Sequence, residues 1–243
     1  MRRFLNECTV FFREFQRSTL TTGSVVPSGR FLARAMTCHL RGTRRPARIL
    51  EVGPGTGALT REIVRYLGPQ DTLDLVEVNP QFVEVLRDRF LADWSFRRVR
   101  RQVRLIHAPL QRLRDSQPPY DLAISALPLN NFPPALVAEL FDVFRQIMNP
   151  SGVLTYFEYM GVRRLRFRWS FGAERSRLAQ LDAILQGNLA EYRFRQDAVF
   201  VNFPPAWVHH LSFGTPGASR AGREPSRYHR WRSDLSPPTE SRG

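Results

Sequence analysis

Hydrophobic and polar positions follow two alternating periods from Arg48 onward. Short runs rich in β-branched residues are each followed by a longer stretch with helical spacing. The predicted strands are RILEV, TLDLVEV, VRLIHA, YDLAIS and GVLTYFEY, and the helical stretches include LTREIVRYL, PQFVEVLRDRF and PALVAELFDVFRQIM. Strands that alternate with helices form a parallel sheet covered by helices on both faces. The pattern therefore predicts an α/β fold.

The end of the chain differs from this alternating region. The runs DAVFVNF and AWVHHLSF, separated by Pro204 and Pro205, predict a closing hairpin. Beyond Phe213 the chain is rich in Gly, Pro, Ser and Arg and has few aliphatic residues. Such a segment buries too little apolar surface to offset the entropy lost on ordering. We therefore predict a disordered basic tail over residues 214–243.

The start of the chain has helical spacing and two unlike faces. At 100° per residue, one face carries Phe4, Cys8, Phe11, Phe12 and Phe15, and arginines lie opposite. An aromatic face opposite arginines is typical of a helix that lies in a membrane interface. We predict an amphipathic membrane-binding helix over residues 1–20, with packing of that helix onto its own domain as the alternative. A second basic and aromatic stretch, VRRLRFRWSF, also favours a bilayer over a nucleic acid.

Charge and cysteine content limit the partners and the compartment. The net charge is +14 with the histidines neutral. The chain contains no lysine, so all of its positively charged side chains are arginines. Guanidinium groups bind phosphate in bidentate fashion, which indicates an anionic partner such as a membrane surface or nucleic acid. Cys8 and Cys38 lack metal-type spacing, so the sequence predicts no metal site and a reducing compartment. No apolar run approaches the roughly 20 residues that span a bilayer. We expect a cytoplasmic protein.

The stretch ILEVGPGTGALT predicts a buried strand, a glycine turn and the start of a helix. Gly53, Gly55 and Gly57 allow a tight turn and a close approach of the backbone to a ligand. Glu51 can face a ligand's ammonium group, and Glu77 at the next strand end can accept from two ribose hydroxyls. An acid before the glycines would repel a pyrophosphate, whereas S-adenosylmethionine carries an ammonium group and no phosphate. The sequence therefore predicts S-adenosylmethionine as the cofactor.

The third predicted strand ends at His107 and Ala108. In many enzymes that bind this cofactor, an acid stands here beside the adenine amino group. A neutral imidazole nitrogen can accept the same hydrogen bond. We predict that both residues contact the cofactor, with a purely structural histidine as the alternative.

Two related families share these motifs. VGPGTGALT and VEVNPQFVEVLRDRF resemble the donor half of ribosomal RNA adenine dimethyltransferases and, equally, of bacterial phospholipid N-methyltransferases, which convert phosphatidylethanolamine to phosphatidylcholine. TLTTGSVVPSGRFLARAMT, SALPL, GVLTYFEY and VNFPPAWV resemble the phospholipid family more closely. The resemblance covers about residues 10–210. It implies a Rossmann-like, seven-stranded methyltransferase fold over residues 21–213.

The loop after the fourth strand bears on the methyl acceptor. Enzymes that methylate an exocyclic base amine place an Asn or Asp and an aromatic residue here, which bind the amine and stack on the base. The aligned residues in this chain are Ala126, Leu127, Pro128 and Leu129. The loop therefore argues against a nucleobase, unless it packs as a simple turn and Asn130 or Asn131 supplies the amide.

The resemblance also implies an acceptor site. Its predicted substrate-binding residues are Val26, Pro27, Ser28, Ala126, Leu129 and Arg163, and its predicted catalytic residues are Tyr159, Leu127 and Pro128. Tyr159 would contact the amine through its hydroxyl or its ring, with Glu158 as a rival on the opposite side of the strand. Arg163 and Arg164 would hold the lipid phosphate, with a solvated basic loop as the alternative. An aliphatic amine needs no stacking platform, only alignment with the sulfonium methyl group.

The sequence as a whole predicts a methyltransferase that converts phosphatidylethanolamine towards phosphatidylcholine at the inner face of the cell membrane, with the anionic membrane surface as its partner. An RNA (adenine-N6) methyltransferase is the first alternative, because the charge and the donor motif also fit that function. A catalytically inactive donor-binding module is the second.

Overall fold

A computed structural model describes residues 29–41, 46–202 and 204–214, with no side-chain description for Arg164. The predicted helix over residues 1–20, the segment from Val26 to Ser28 and the tail beyond Gly214 lie outside the described residues. Among the described residues, no helix is both long and apolar enough to cross a membrane.

Seven strands form one sheet in the order β3-β2-β1-β4-β5-β7-β6. The strands are β1 (Arg48–Val52), β2 (Thr72–Glu77), β3 (Val103–His107), β4 (Tyr120–Ser125), β5 (Met148–Tyr159), β6 (Arg193–Val199) and β7 (Ala206–Leu211). β3, β2, β1, β4 and β5 pair in parallel, and β7 is antiparallel to both β5 and β6. The predicted α/β class and the seven-stranded Rossmann-like fold are confirmed.

The described helices cover both faces of the sheet. They are α1 (Gly29–Met36), α2 (Ala58–Ile63), α3 (Pro80–Ala92), α4 (Trp94–Arg97), α5 (Pro134–Ile147), α6 (Val162–Arg168) and α7 (Gly172–Tyr192). Local sequence sets where α3 begins: Asn79 caps it by accepting from the N–H of Gln81 at 2.9 Å, and Pro80 opens its first turn. Buried side chains form one apolar cluster on each face of the sheet, so the apolar strands of the centre are covered from both sides.

The chain between β5 and β7 differs from the prediction. The first hairpin strand is Arg193–Val199, so the apolar pair Phe200 and Val201 lies in the turn that follows and is exposed. The 21-residue helix α7 precedes it and was absent from the predicted helices. Its buried residues, Leu178, Leu181, Leu185 and Leu189, recur at helical spacing and complete the core on the α5 face.

The strand order reverses between β1 and β4, which pair with each other at the centre of the sheet. In open α/β sheets, ligands bind outside the carboxyl ends of the strands at such a reversal. The fold therefore places the binding site where the loops after β1 and β4 meet.

Candidate active site

The turn after β1 has the conformation that its glycines allow. Gly53, Gly55 and Gly57 have φ angles of +74°, +56° and +83°, which residues with a Cβ rarely adopt. A Cβ on Gly53 would lie 2.8 Å from Cδ2 of Leu127. The Gly53 N–H donates to the Val76 carbonyl of β2 at 3.0 Å. The turn is therefore held between β2 and the loop after β4.

Gly57 serves the fold in a different way. A Cβ there would lie 3.0 Å from Leu86 and 3.5 Å from Phe96, which belong to α3 and α4. The residue precedes α2 and allows that helix to pack closely on its neighbours. Gly57 therefore shapes the turn but does not line the cavity described next.

A cavity of about 250 Å³ opens at the carboxyl ends of β1, β2 and β3. Five of the predicted site residues line it: Gly53, Glu77, His107, Ala108 and Leu127. The rest of its wall is largely apolar and includes Leu110, Phe132, Leu136 and Leu140. Such a cavity, mostly apolar with a few placed polar groups, is typical of a small-molecule site.

Glu77 ends β2 with a fully buried carboxylate. One oxygen, Oε2, accepts from the Gly55 N–H at 3.0 Å, and Oε1 accepts from the N–H groups of Val78 at 2.9 Å and Asn79 at 2.8 Å. Burial raises the pKa of Glu77, and these three hydrogen bonds oppose the rise. Because each carboxylate oxygen has two lone pairs, Oε2 still has room for a hydroxyl donor from the cavity.

Glu51 is also fully buried, in the middle of the sheet between Leu75 and Ile124. Neither carboxylate oxygen has a hydrogen-bond partner among the described residues. Burial raises the pKa of Glu51 to about 8, and Thr60, which approaches without completing a hydrogen bond, offsets part of this rise. A buried carboxyl group without a partner is costly. The ammonium group of S-adenosylmethionine would relieve this cost, but Glu51 is not among the cavity-lining residues, so its contact with the cofactor stays a prediction.

His107 and Ala108 line the cavity at the end of β3. The His107 Nε2 lies 3.3 Å from the Val78 carbonyl oxygen, so in the neutral ring Nε2 carries the proton and Nδ1 is the acceptor. The Ala108 N–H donates to the Glu77 carbonyl at 3.2 Å. The ring that we predict to accept from adenine is therefore held in the tautomer that leaves an acceptor on Nδ1.

The apolar residues of the loop after β4 point to two different places. Leu127 lines the cavity, whereas Leu129 is buried in the core beside α5. The Ala126 N–H donates to the Val52 carbonyl at 3.0 Å, and the Asn131 N–H donates to the Pro128 carbonyl at 2.9 Å. The loop is therefore fixed to β1 and closed by a short turn, and of its predicted acceptor residues only Leu127 lines the cavity.

The predicted acceptor residues after β5 lie apart from the cavity lining. The Tyr159 ring packs 5.3 Å from the Phe157 ring, and burial raises the pKa of its hydroxyl. Arg163 pairs with two carboxylates, Glu158 at 3.4 Å and Asp182 at 3.0 Å. The guanidinium that we predict to hold a lipid phosphate is therefore already paired in the described structure.

Two other arginines tie the segment after β5 to the loop after β4. Arg166 of α6 donates to the Asn131 side-chain oxygen at 2.8 Å, and Arg177 of α7 donates to the Phe132 carbonyl at 3.1 Å. No local sequence pattern indicates these contacts or the apolar wall contributed by α5. The helical period of PALVAELFDVF shows a buried face but not which part of that face borders a cavity.

The chain is similar in sequence to known methyltransferases. A model for a methyltransferase domain matches residues 49–152. Among curated proteins, an ornithine lipid N-methyltransferase from Singulisphaera acidiphila is 29% identical over 62% of this chain and 77% of that enzyme. A ubiquinone/menaquinone biosynthesis C-methyltransferase from Azotobacter vinelandii is 30% identical over 53% of this chain and 48% of that enzyme.

Solved structures agree on the fold. The O-methyltransferase TomG from Streptomyces achromogenes, in complex with S-adenosylmethionine, has a TM-score of 0.58 and 14% identity, covering 79% of this chain and 82% of that chain. The N-methyltransferase NodS from Bradyrhizobium japonicum has a TM-score of 0.55 and 16% identity, covering 79% of this chain and 99% of that chain.

The fold, the glycine turn with Glu77 and these comparisons define the chain as an S-adenosylmethionine-dependent methyltransferase. Its similarity to the Singulisphaera enzyme supports a relation to lipid N-methyltransferases.

Proposed function

We propose that this enzyme transfers a methyl group from S-adenosylmethionine to the amine nitrogen of a membrane lipid headgroup. Phosphatidylethanolamine and an ornithine lipid are the two candidate substrates. The observation that carries the proposal is the similarity to the ornithine lipid N-methyltransferase, which extends over 77% of that enzyme. The acceptor loop and the exposed surface at the same end of the sheet support it independently.

The acceptor loop supports an aliphatic amine over a nucleobase. Ala126 and Leu129 occupy the positions where base-modifying enzymes carry an amide and an aromatic ring, and Leu129 is buried in the core. A base at this site would lose a stacking contact worth about 1–3 kcal/mol. A lipid amine on a flexible ethanolamine or ornithine chain has no planar ring to stack, so the lack of an aromatic residue in this loop does not weaken its binding.

An exposed apolar surface lies at the carboxyl end of β5, and we call it the rim. It consists of Leu165, Trp169, Phe171, Phe200 and Val201, whose exposures lie between 61% and 79%. Its two parts belong to the same end of the sheet, where the Met160 N–H after β5 donates to the Pro205 carbonyl of the hairpin turn at 2.7 Å. Large exposed apolar side chains grouped in this way mark an interaction surface.

The rim also carries positive charge and adjoins the acceptor loop. Arg166 and Arg177 connect it to the loop after β4, and Arg175 stacks over Phe167 at 4.7 Å. Apolar side chains flanked by arginines fit the interface of an anionic bilayer, where the rings enter the headgroup region and the guanidinium groups meet phosphate. We infer that the rim docks on the inner face of the cell membrane and brings lipid amines to the cavity.

The described residues can bind and orient the reactants. When bound, S-adenosylmethionine supplies an electrophilic methyl group on its sulfonium. Gly53 would allow the backbone to approach this cofactor, Glu77 would offer Oε2 to its ribose, and Leu127, Phe132 and Leu136 would provide an apolar wall. Transfer to the lipid amine would break the C–S bond of the cofactor, form one C–N bond and release one proton from the amine nitrogen. Holding the two groups in line is the main catalytic contribution that this site requires.

The test is a methyl-transfer assay with radiolabelled S-adenosylmethionine and a panel of acceptors. The panel contains vesicles with phosphatidylethanolamine, vesicles with ornithine lipid, vesicles of phosphatidylglycerol alone, and bulk RNA. We expect label in the organic phase only with the first or second vesicle. Label in RNA, or equal label with phosphatidylglycerol alone, would contradict the proposal.

A further inference from the structure

A cluster of metal-ligand side chains lies on the α1 face of the sheet, apart from the cofactor cavity. Cys38 and His39 follow α1 in a short 3-10 turn, Cys38–Leu40, and His210 lies in β7 with its side chain fully buried. One potential ligand atom from each residue lies within 4.8 Å of the others. None of the three lines the cofactor cavity. The cluster therefore needs an explanation of its own.

The two imidazoles already have the spacing of metal ligands. The His39 Nε2 lies 3.1 Å from the His210 Nδ1. Tetrahedral zinc with bonds of about 2.0–2.1 Å to nitrogen separates two ligand nitrogens by roughly 3.3 Å. The Cys38 sulfur completes the group, and the three ligand atoms lie within 4.8 Å of one another.

Asp197 and Arg195 orient the His210 ring so that one of its nitrogens can bind a metal. The His210 Nε2 lies 3.2 Å from Oδ2 of Asp197, and Arg195 holds that carboxylate at 2.7 Å and 3.0 Å. A carboxylate on one ring nitrogen keeps the proton there and leaves the lone pair of the other nitrogen free to bind a metal. The lone pair of Nδ1 consequently points to His39, and the Thr155 hydroxyl lies 3.0 Å from the same nitrogen.

Two groups compete for one lone pair on the His210 ring. In the neutral tautomer fixed by Asp197, Nδ1 has a single lone pair, yet both Thr155 Oγ1 and His39 Nε2 lie at hydrogen-bond distance from it. Only one of these two groups can donate to that lone pair at full strength. A metal ion bound between the imidazoles would use the Nδ1 lone pair, and the Thr155 hydroxyl could then contact the fourth ligand.

We propose that Cys38, His39 and His210 bind one Zn²⁺ ion, with water or the Thr155 hydroxyl in the fourth position. One thiolate and two imidazoles form a ligand set that zinc favours, and binding releases the thiol proton of Cys38. The ion would fix the turn after α1 to β7 and so hold α1 against the closing hairpin. The cysteine spacing predicted no metal site because one of the three ligands, His210, lies 171 residues from His39 in the sequence. A local spacing pattern does not include so distant a residue.

Cobalt spectroscopy of the full-length protein tests the proposal. After dialysis against a chelator, the protein is titrated with Co²⁺ as a coloured substitute for Zn²⁺. We expect the visible bands of four-coordinate cobalt, a thiolate-to-cobalt charge-transfer band, one equivalent at saturation, and loss of all bands when Zn²⁺ is added. The absence of a charge-transfer band in the wild-type protein would overturn the proposal without any variant.

Matched variants identify the ligands. Cys38→Ser should remove the charge-transfer band, and His210→Gln should weaken cobalt binding at least tenfold, whereas Cys8→Ser and His229→Gln should leave the titration unchanged. Asp197→Asn should weaken binding about 10- to 100-fold while the thiolate band remains, because it acts through His210. Loss of the band in Cys8→Ser but not in Cys38→Ser would assign the thiolate elsewhere and refute this site. Circular dichroism verifies that each variant is folded.

Discussion

Gly53 and Leu127 meet so closely that a side chain on Gly53 would displace Leu127. A Cβ on Gly53 would stand 2.8 Å from Cδ2 of Leu127, and the backbone there has a φ of +74°. Both residues line the cavity at the carboxyl ends of β1, β2 and β3, one from each loop at the reversal of strand order. The contact therefore couples the turn after β1 to the loop after β4.

Gly53→Ala should weaken cofactor binding through this contact. The methyl group strains the left-handed backbone and displaces Leu127 into the cavity, so we expect the affinity for S-adenosylmethionine to fall at least about tenfold, or roughly 1.4 kcal/mol. Calorimetric titration measures the effect. Gly187→Ala is the matched control, because Gly187 lies in α7 with no atom within 4 Å of the added Cβ. Equal affinities in the two variants would show that the Gly53–Leu127 contact does not shape the site.

Glu77→Ala should also weaken the binding of S-adenosylmethionine. The ribose would lose a charged acceptor worth about 1.5–3 kcal/mol, and Gly55 would lose the partner that fixes its N–H. Glu84→Ala removes an exposed acid on the neighbouring helix α3 and should bind as the wild type does. Calorimetry with each folded variant makes the comparison. Unchanged affinity in Glu77→Ala would remove this carboxylate from the cofactor site.

Binding of the cofactor should release a proton from Glu51. Burial raises the pKa of Glu51 to about 8, so this carboxyl is mostly protonated at pH 7 in the cofactor-free protein. An ammonium group placed beside it favours the carboxylate, and binding should therefore release a proton. Calorimetry at pH 7 in buffers of different ionisation enthalpy measures that release, which Glu51→Gln should abolish. The same release in the variant would assign the proton to another group.

The same pKa shift affects stability. A carboxyl with a folded pKa of about 8 and an ordinary unfolded pKa of 4.5 binds more protons in the folded state between these values. The free energy of unfolding of the cofactor-free protein should therefore decrease as pH rises from about 4.5 to 8. Urea unfolding across this range should show a weaker decrease in Glu51→Gln. Identical pH profiles would contradict the assignment.

The strand pattern predicted the central sheet well because its strands are apolar runs that are buried on both faces. β1 and β4 coincide with the predicted runs RILEV and YDLAIS. It misplaced the first hairpin strand because Phe200 and Val201 have strand propensity but stand in a turn, where Asn202 donates to the Pro204 carbonyl at 2.6 Å. Propensity does not report exposure.

Part of the candidate site was also predictable from the sequence. The glycine turn and Glu77 follow from local spacing, and the structure brings Gly53, Glu77, His107 and Ala108 to one cavity. The positions of Leu129 and Arg163 depend on partners distant in the sequence. Leu129 enters the core beside α5, and Arg163 meets Asp182 of α7, and no local pattern contains those contacts.

The rim should bind vesicles through its aromatic residues. Substituting Trp169→Ala and Phe171→Ala together removes two of the most exposed apolar side chains, and we expect co-sedimentation with phosphatidylglycerol-rich vesicles to fall several-fold while cofactor affinity is retained. Trp94→Ala is the control, because Trp94 is equally exposed at 73% but lies in α4, near the start of β3 at the opposite edge of the sheet. Equal losses in both proteins would indicate nonspecific adsorption.

The proposed N-methylation of a lipid amine is tested most directly by locating the transferred methyl group. The purified enzyme is incubated with S-adenosylmethionine that carries a deuterated methyl group and with mixed vesicles of phosphatidylethanolamine, ornithine lipid and phosphatidylglycerol, in the presence of bulk RNA. Tandem mass spectrometry of the extracted lipids and of the digested RNA then identifies the labelled atom. The account predicts the deuterated methyl group on the headgroup nitrogen of phosphatidylethanolamine or of the ornithine lipid, and none in the Glu77→Ala reaction at limiting cofactor. A deuterated methyl group on RNA adenine, with unlabelled lipid amines, would contradict it.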